Sequence, residues 1–201
     1  MNNYLIIGGS SGIGRAIVKQ LNEGNNYLFL ASRTAGNVSG ENINFQSVDV
    51  TESFELELPE KLDGLIYCPG SINLKPFHRL KTEAFLEDFK INYLGAVKVI
   101  QQALKALKKS ENASIVLFST VAVQTGLNFR TSVAPSLTGT SLSSRLLSSE
   151  EKVKANADRH PLKSIGRAED MTHTARVLLG KESRWMTGQV IAVDGGMSNL
   201  R

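Results

Sequence analysis

Apolar and polar residues follow two rhythms along this chain, and the switches between them mark its elements. Short, mainly apolar runs fill residues 4–7, 27–31, 64–68 and 114–118, and Ile43, Phe45 and Val48 mark another strand at 43–48. Each has the length of a buried strand. Between them the apolar positions recur at helical spacing, first at Ile13, Ile17 and Leu21, later at Phe85, Phe89, Ala96, Ile100, Leu104 and Leu107. Gly24 falls where the first helix would close, and Thr82 is placed to cap the longer one. Residues 54–62, interrupted by Pro59, predict a poor short helix. Ser148-Ser149-Glu150-Glu151 has the spacing of a capping box, and residues 169–179 predict an amphipathic helix stopped at Gly180.

The first switch of rhythm carries chemistry. The run 4–7 stops at Gly8-Gly9-Ser10-Ser11-Gly12-Ile13-Gly14, and helical spacing begins directly beyond it. Gly8 allows a tight turn, Gly12 lets a phosphate approach the backbone, and Gly14 lets the helix pack closely on the strand. Amides of the helix's first turn then face an anion with no side chain required. Ser10, Ser11 and Ile13 complete the loop, which predicts nucleotide binding.

Composition narrows the rest. A chain of 201 residues with 41% hydrophobic residues fits one domain, residues 1–201. Its apolar runs are too short for a membrane span, and its start lacks the basic region and cleavage site of a secretory leader. The lone Cys68 cannot pair internally, so the expected compartment is the cytoplasm. It reads most simply as a small buried residue. The net charge of +4 is spread out, and its densest spot, Lys105, Lys108 and Lys109, closes a helix where cations favour the dipole. No basic stripe interleaves with aromatics, so nucleic acid is not an expected partner. His78, His160 and His173 show no metal-ligand spacing, and no metal is expected.

The second strand ends at Ser32-Arg33-Thr34. In dinucleotide folds an acid at this strand end accepts the ribose 2′-hydroxyl, whereas an arginine pairs with a 2′-phosphate. Arg33 and the absence of an acid therefore favour NADP(H) over NAD(H).

The Gly-x-x-x-Gly-x-Gly spacing of residues 8–14 resembles the first loop of the short-chain dehydrogenase/reductase family, with Ile7 where Thr is usual. That resemblance continues through most of the chain. It implies a Rossmann-like α/β fold, a doubly wound parallel sheet. It also implies that Asp49 holds the adenine amino group and Val50 covers the ring, although Asp49 can equally cap the turn that follows. The family's Asn-Asn-Ala-Gly is matched by Tyr67-Cys68-Pro69-Gly70, where only Gly70 is kept for close approach to the cofactor. Asn92-Tyr93-Leu94-Gly95 resembles the family's Asn-x-x-Gly, whose Asn holds a water in a proton relay. Asn is otherwise a poor choice inside a helix. Thr120 takes the place of the hydroxyl that orients a substrate carbonyl. Residues 134–140, with Pro135, Thr138 and Thr140, resemble the Pro-Gly-x-x-x-Thr loop over the nicotinamide, and residues 186–196 the family's last strand.

One stretch departs. Family members carry a Tyr, the general acid, and a Lys four residues later that lowers its pKa. Counted from Thr120, the Tyr position falls at Val133, and no Lys follows. The nicotinamide loop begins at once, where a helix and a parallel strand of roughly 25 residues should intervene. A deletion, a missing segment or a rearranged variant would each explain this. The join has no linker chemistry, which favours a missing segment. The expected fold therefore lacks one helix and one strand after residue 133.

Two functions remain open. The resemblance implies an oxidoreductase that binds NADP(H) and passes hydride to or from a small carbonyl or alcohol substrate, impaired by loss of an acid worth about 100- to 10,000-fold in rate. The alternative is a non-catalytic NADP(H)-binding sensor or scaffold. A homo-oligomer is expected in either case.

Overall fold

The computed structural model describes residues 1–71, 73, 75–120, 147–199 and the backbone of 137–138. Five strands, β1 (Asn2–Ile7), β2 (Asn26–Ser32), β3 (Ile43–Ser47), β4 (Gly64–Tyr67) and β5 (Ser114–Leu117), form one sheet in the order β3-β2-β1-β4-β5. All its neighbours are parallel. The order reverses between β1 and β4, which opens a crevice above the carboxyl ends of those strands. A separate two-residue pair joins β6 (Leu137–Thr138) to β7 (Gly166–Arg167).

Because successive strand residues face opposite sides, β1 seeds two cores. Leu5 and Ile7 join Leu65 and Tyr67 of β4 under Val99, Ala103 and Ala106 of α3 (Gly95–Leu107). Tyr4 and Ile6 join Ile66 beneath Ile17, Val18 and Leu21 of α1 (Gly12–Asn22). Ala175 and Leu179 of α5 (Ala168–Leu179) close that second side. A β1 buried on both faces explains why its sequence is continuously apolar.

Three sequence expectations are corrected. Residues 54–62 form no helix. Phe54, Leu56 and Leu58 instead alternate as an extended run packed on the sheet. Two glutamine amides satisfy its backbone: Gln46 exchanges bonds with Glu57, and Gln102 accepts from the Leu56 amide and donates to the Phe54 carbonyl. Thr82 is not a cap. It is the first residue of α2 (Thr82–Phe89), Lys81 holds the cap position, and α2 continues through a π turn (Lys90–Leu94) into α3. Finally, residues 186–196, which resemble the family's last strand, join no sheet, and Val190 is 84% exposed. A strand of this kind needs a parallel neighbour, and among the described residues the sheet ends at β5.

Of the remaining helices, one stops at its signal, and the other starts one residue later than the Ser148–Glu151 box spacing predicts, with Lys152 rather than an acid three residues beyond its cap. Ser149 caps α4 (Glu150–Ala157) by accepting from the Lys152 amide, and Gly180 follows α5.

The end of the sheet away from the crevice is tied by Asp63. Its carboxylate accepts from the Asn3 amide (3.0 Å) and the Ser110 hydroxyl (2.7 Å) and pairs with Lys61 (3.1 Å). Burial alone would raise its pKa, but these three partners outweigh burial and hold it below the usual value. The carboxylate therefore contributes stability that is fully present above about pH 4, the unfolded value. That contribution is lost as pH falls through the lower folded value. Asp63→Asn should cost about 1–3 kcal/mol at pH 7. Urea unfolding should show the gap from wild type closing below pH 4; a gap that stays constant with pH would contradict the assignment.

Candidate nucleotide-binding site

The loop between β1 and α1 is shaped by what its glycines lack. Gly8 has φ +79° and Gly12 φ +54°, in the left-handed region where a side chain is strained. Gly8 donates its N–H to the Ala31 carbonyl at 2.9 Å, which anchors the turn to β2. A Cβ at position 14 would overlap the Gly8 carbonyl oxygen, so the helix can start this close to the strand only with glycine there. Ser11 is the cap residue of α1, with φ −153°, yet its hydroxyl makes no cap bond. The first-turn amides are thus left for an outside acceptor, and this helix end points into the crevice.

Around the loop stand the ends of the neighbouring strands. Ser32 is buried, and its hydroxyl donates to the Thr34 carbonyl (2.7 Å), which turns the chain and leaves Arg33 exposed. Beyond β3, Asp49 Oδ1 accepts from the Thr51 hydroxyl (2.7 Å) and amide (2.9 Å). Those two bonds, with a smaller contribution from the Arg33 charge, hold Asp49 below the usual carboxylate range. The turn-capping role open in the sequence is therefore made, by one of the two carboxylate oxygens. Val50 beside it is buried.

On the β4 side, Pro69 lies against Gly8, so the strand end touches the glycine loop. Gly70 is exposed, and Asn92 sits 3.4 Å from where its Cβ would be. Asn92 lies in the π turn, which answers why an asparagine stands within a long helix. Its Oδ1 accepts from the Ser71 amide (3.0 Å) and its Nδ2 donates to the Ser71 carbonyl (3.2 Å). Asp88, itself buried, accepts from the Ser71 hydroxyl (2.6 Å) and from Asn73 (3.2 Å). Thr120 is buried in the loop beyond β5.

The fold brings residues 8–14, 32–33, 49–50, 70, 92 and 120 to the carboxyl ends of the parallel strands. Val133, Pro135 and Thr140 lie outside the described residues, and Thr138 is placed only as backbone paired with Arg167. Sequence reasoning missed Gly36, Tyr67 and Asp88. Gly36 (φ +63°) leaves no room for a Cβ beside the Ser10 carbonyl, so the loop after β2 leans on the glycine loop. Its placement could have been suspected only from a glycine near a strand end. Among the described residues no group of three His, Cys, Asp or Glu side chains could hold a metal, and no helix is long and apolar enough to cross a membrane.

Residues 2–154 match the family model of the short chain dehydrogenases, and residues 130–198 match a model described as enoyl-(acyl carrier protein) reductase. The chain belongs to the short-chain dehydrogenase family of oxidoreductases. A tropinone reductase homolog of Arabidopsis thaliana is 28% identical over 240 residues, covering 96% of this chain and 91% of the relative. The 3-oxoacyl-[acyl-carrier-protein] reductase of Bos taurus is 26% identical over 230 residues, covering 96% of each. Both alignments are longer than the 201 residues of this chain, so these relatives carry stretches with no counterpart here. Among solved structures, a short chain dehydrogenase family protein of Francisella tularensis superimposes with TM-score 0.83 at 21% identity, covering both chains fully. ElxO with NADP bound does so with TM-score 0.85 at 20% identity, covering 99% of each.

Cys68, at the rim of this site, bears on its chemistry. Burial pushes its thiol up to about 12. Its labelling by a disulfide reagent at pH 8 should be slower than that of a free cysteine by on the order of a thousandfold, from thiolate fraction alone. Rapid labelling of the folded protein would show the thiol to be ionised and accessible.

Proposed function

We propose that this protein binds NADP(H) in the crevice between β1 and β4 and descends from carbonyl reductases of its family. The observation that carries the reading is the glycine loop itself: two left-handed glycines, a third with no room for a side chain, and an uncapped helix end beyond them. Such a cradle fits a pyrophosphate, because a Cβ would fill the space or strain the turn. Arg33 would meet the 2′-phosphate, Asp49 and Val50 the adenine, and Gly70 the nicotinamide side. NADP bound to ElxO is in keeping with this choice of cofactor.

When bound, the cofactor supplies hydride for a carbonyl or accepts it from an alcohol. The chain's own part is to hold it, to exclude water from the crevice, and to orient a substrate carbonyl with the Thr120 hydroxyl. Pro135, Thr138 and Thr140 would cover the nicotinamide. Asn92 would serve the site by fixing the backbone at Ser71.

A specific observation favours the second reading, a non-catalytic NADP(H)-binding sensor or scaffold. All four tyrosines, Tyr4, Tyr27, Tyr67 and Tyr93, precede Thr120, and none has a lysine four residues on. The family's proton donor therefore has no equivalent in this sequence. Turnover with a panel of aldehydes and ketones, run beside a cofactor titration, separates the two: binding without turnover supports the sensor. A single domain acting in the cytoplasm as a homo-oligomer completes the proposal.

Two substitutions test the cofactor assignment. Arg33→Ala should weaken NADPH by about 1.5–3 kcal/mol, the worth of a charge-assisted bond, and leave NADH nearly unchanged. Equal weakening of both would remove Arg33 from the site. Gly12→Val places a branched residue at φ +54° and puts its side chain where the phosphate approaches. Fluorescence titration should show NADPH binding lost while circular dichroism reports the fold intact; retained affinity would sink the phosphate-loop assignment.

A further inference from the structure

Tyr67 closes β4, at the position of the first asparagine in the family's Asn-Asn-Ala-Gly, and the structure gives that tyrosine a defined place. Its ring is buried in the core under α3, and its hydroxyl donates to the Ile91 carbonyl at 2.5 Å. Ile91 lies in the π turn, where the helix register slips so that the Gly95 amide bonds to Lys90. Gly95 makes room for the contact: a Cβ there would overlap the Tyr67 hydroxyl and lie 3.0 Å from the Val50 Cβ. Beneath the crevice, Tyr67, Gly95 and Val50 thus meet at one junction.

From that junction two paths lead to the cofactor cleft. Asn92, next to Ile91, grips the Ser71 backbone by both ends of its amide, and Asp88 grips the Ser71 hydroxyl. Pro69, two residues beyond Tyr67, lies against Gly8. The segment 67–71 is therefore fixed at its start by Tyr67 and at its end by α2 and the π turn. In a sheet ordered β3-β2-β1-β4-β5, the adenosine half of a dinucleotide lies over β2 and β3, and the other half over β4 and β5.

We infer that Tyr67 is a positioning residue: its hydroxyl ties the end of β4 to the π turn and so sets the nicotinamide side of the cleft. The inference rests on the cofactor reading above. Burial raises the Tyr67 pKa, so the phenol keeps its proton as a donor. It touches no reacting atom and acts through Ile91, Asn92 and Ser71.

The test separates the two halves of the cofactor. Adenosine 2′,5′-bisphosphate probes the adenosine half alone, and NADPH probes both. Tyr67→Phe keeps the ring and removes the bond. It should weaken NADPH roughly three- to ten-fold, the range spanned by one buried hydrogen bond, while adenosine 2′,5′-bisphosphate stays within about two-fold. Gly95→Ala should weaken NADPH further, because the new methyl meets the hydroxyl. Adding Tyr67→Phe to Gly95→Ala should recover part of that loss, since the clashing oxygen is gone. A structural role with no directional effect would move both ligands together and show no recovery. Unchanged NADPH affinity in Tyr67→Phe, or equal loss of both ligands, overturns the inference on that variant alone. If the wild-type chain binds neither ligand, the cofactor reading falls first and the inference with it.

Discussion

Everything above the sheet hangs on the contact between Gly14 and the Gly8 carbonyl. A strand buried on both faces must hand over to a helix that also lies against the sheet, and it has the four residues 8–11 in which to turn. Only when position 14 lacks a side chain can the helix axis begin that close. The close start aims the first-turn amides across the crevice, and it brings Pro69 onto the same turn from the β4 side. Loop, crevice and helix end are one geometric solution.

Much of this was legible because the signals were local. Most strands of the sheet announce themselves by short apolar runs, and the glycine loop by its flanks. The π turn was not legible, since nothing in Lys90 to Leu94 distinguishes it from ordinary helix; Asn92 hinted only that something there needed hydrogen bonds. Residues 54–62 were misread through period. Phe54, Leu56 and Leu58 alternate two by two, the rhythm of extended chain, and the backbone bonds that a helix would make internally come from Gln46 and Gln102, distant in sequence. No local pattern encodes a partner of that kind. The run 189–193 has a strand's sequence, but strand formation is a property of pairs, and its partner position is empty among the described residues.

The site shows the same division. Residues that act through backbone geometry, Gly8, Gly12 and Gly14, could be assigned from type and spacing. Residues that act through side-chain partners needed coordinates. Asp49 proves to hold Thr51 as well as standing near Arg33, and Asn92 spends its amide on Ser71. The nucleotide half of the machinery is thus dense in described contacts, whereas the proton-transfer half has no tyrosine and lysine to build on. The proposed cofactor site and the family's proton-transfer pair depend on different stretches of the chain.

The junction of Tyr67 with Gly95 also constrains substitution. The two positions are far apart in sequence but share one small volume, so they cannot vary independently. With Tyr67 in place, a side chain at 95 would press on its hydroxyl, so tyrosine at 67 goes best with glycine at 95. A change at either position therefore alters what the other can accept.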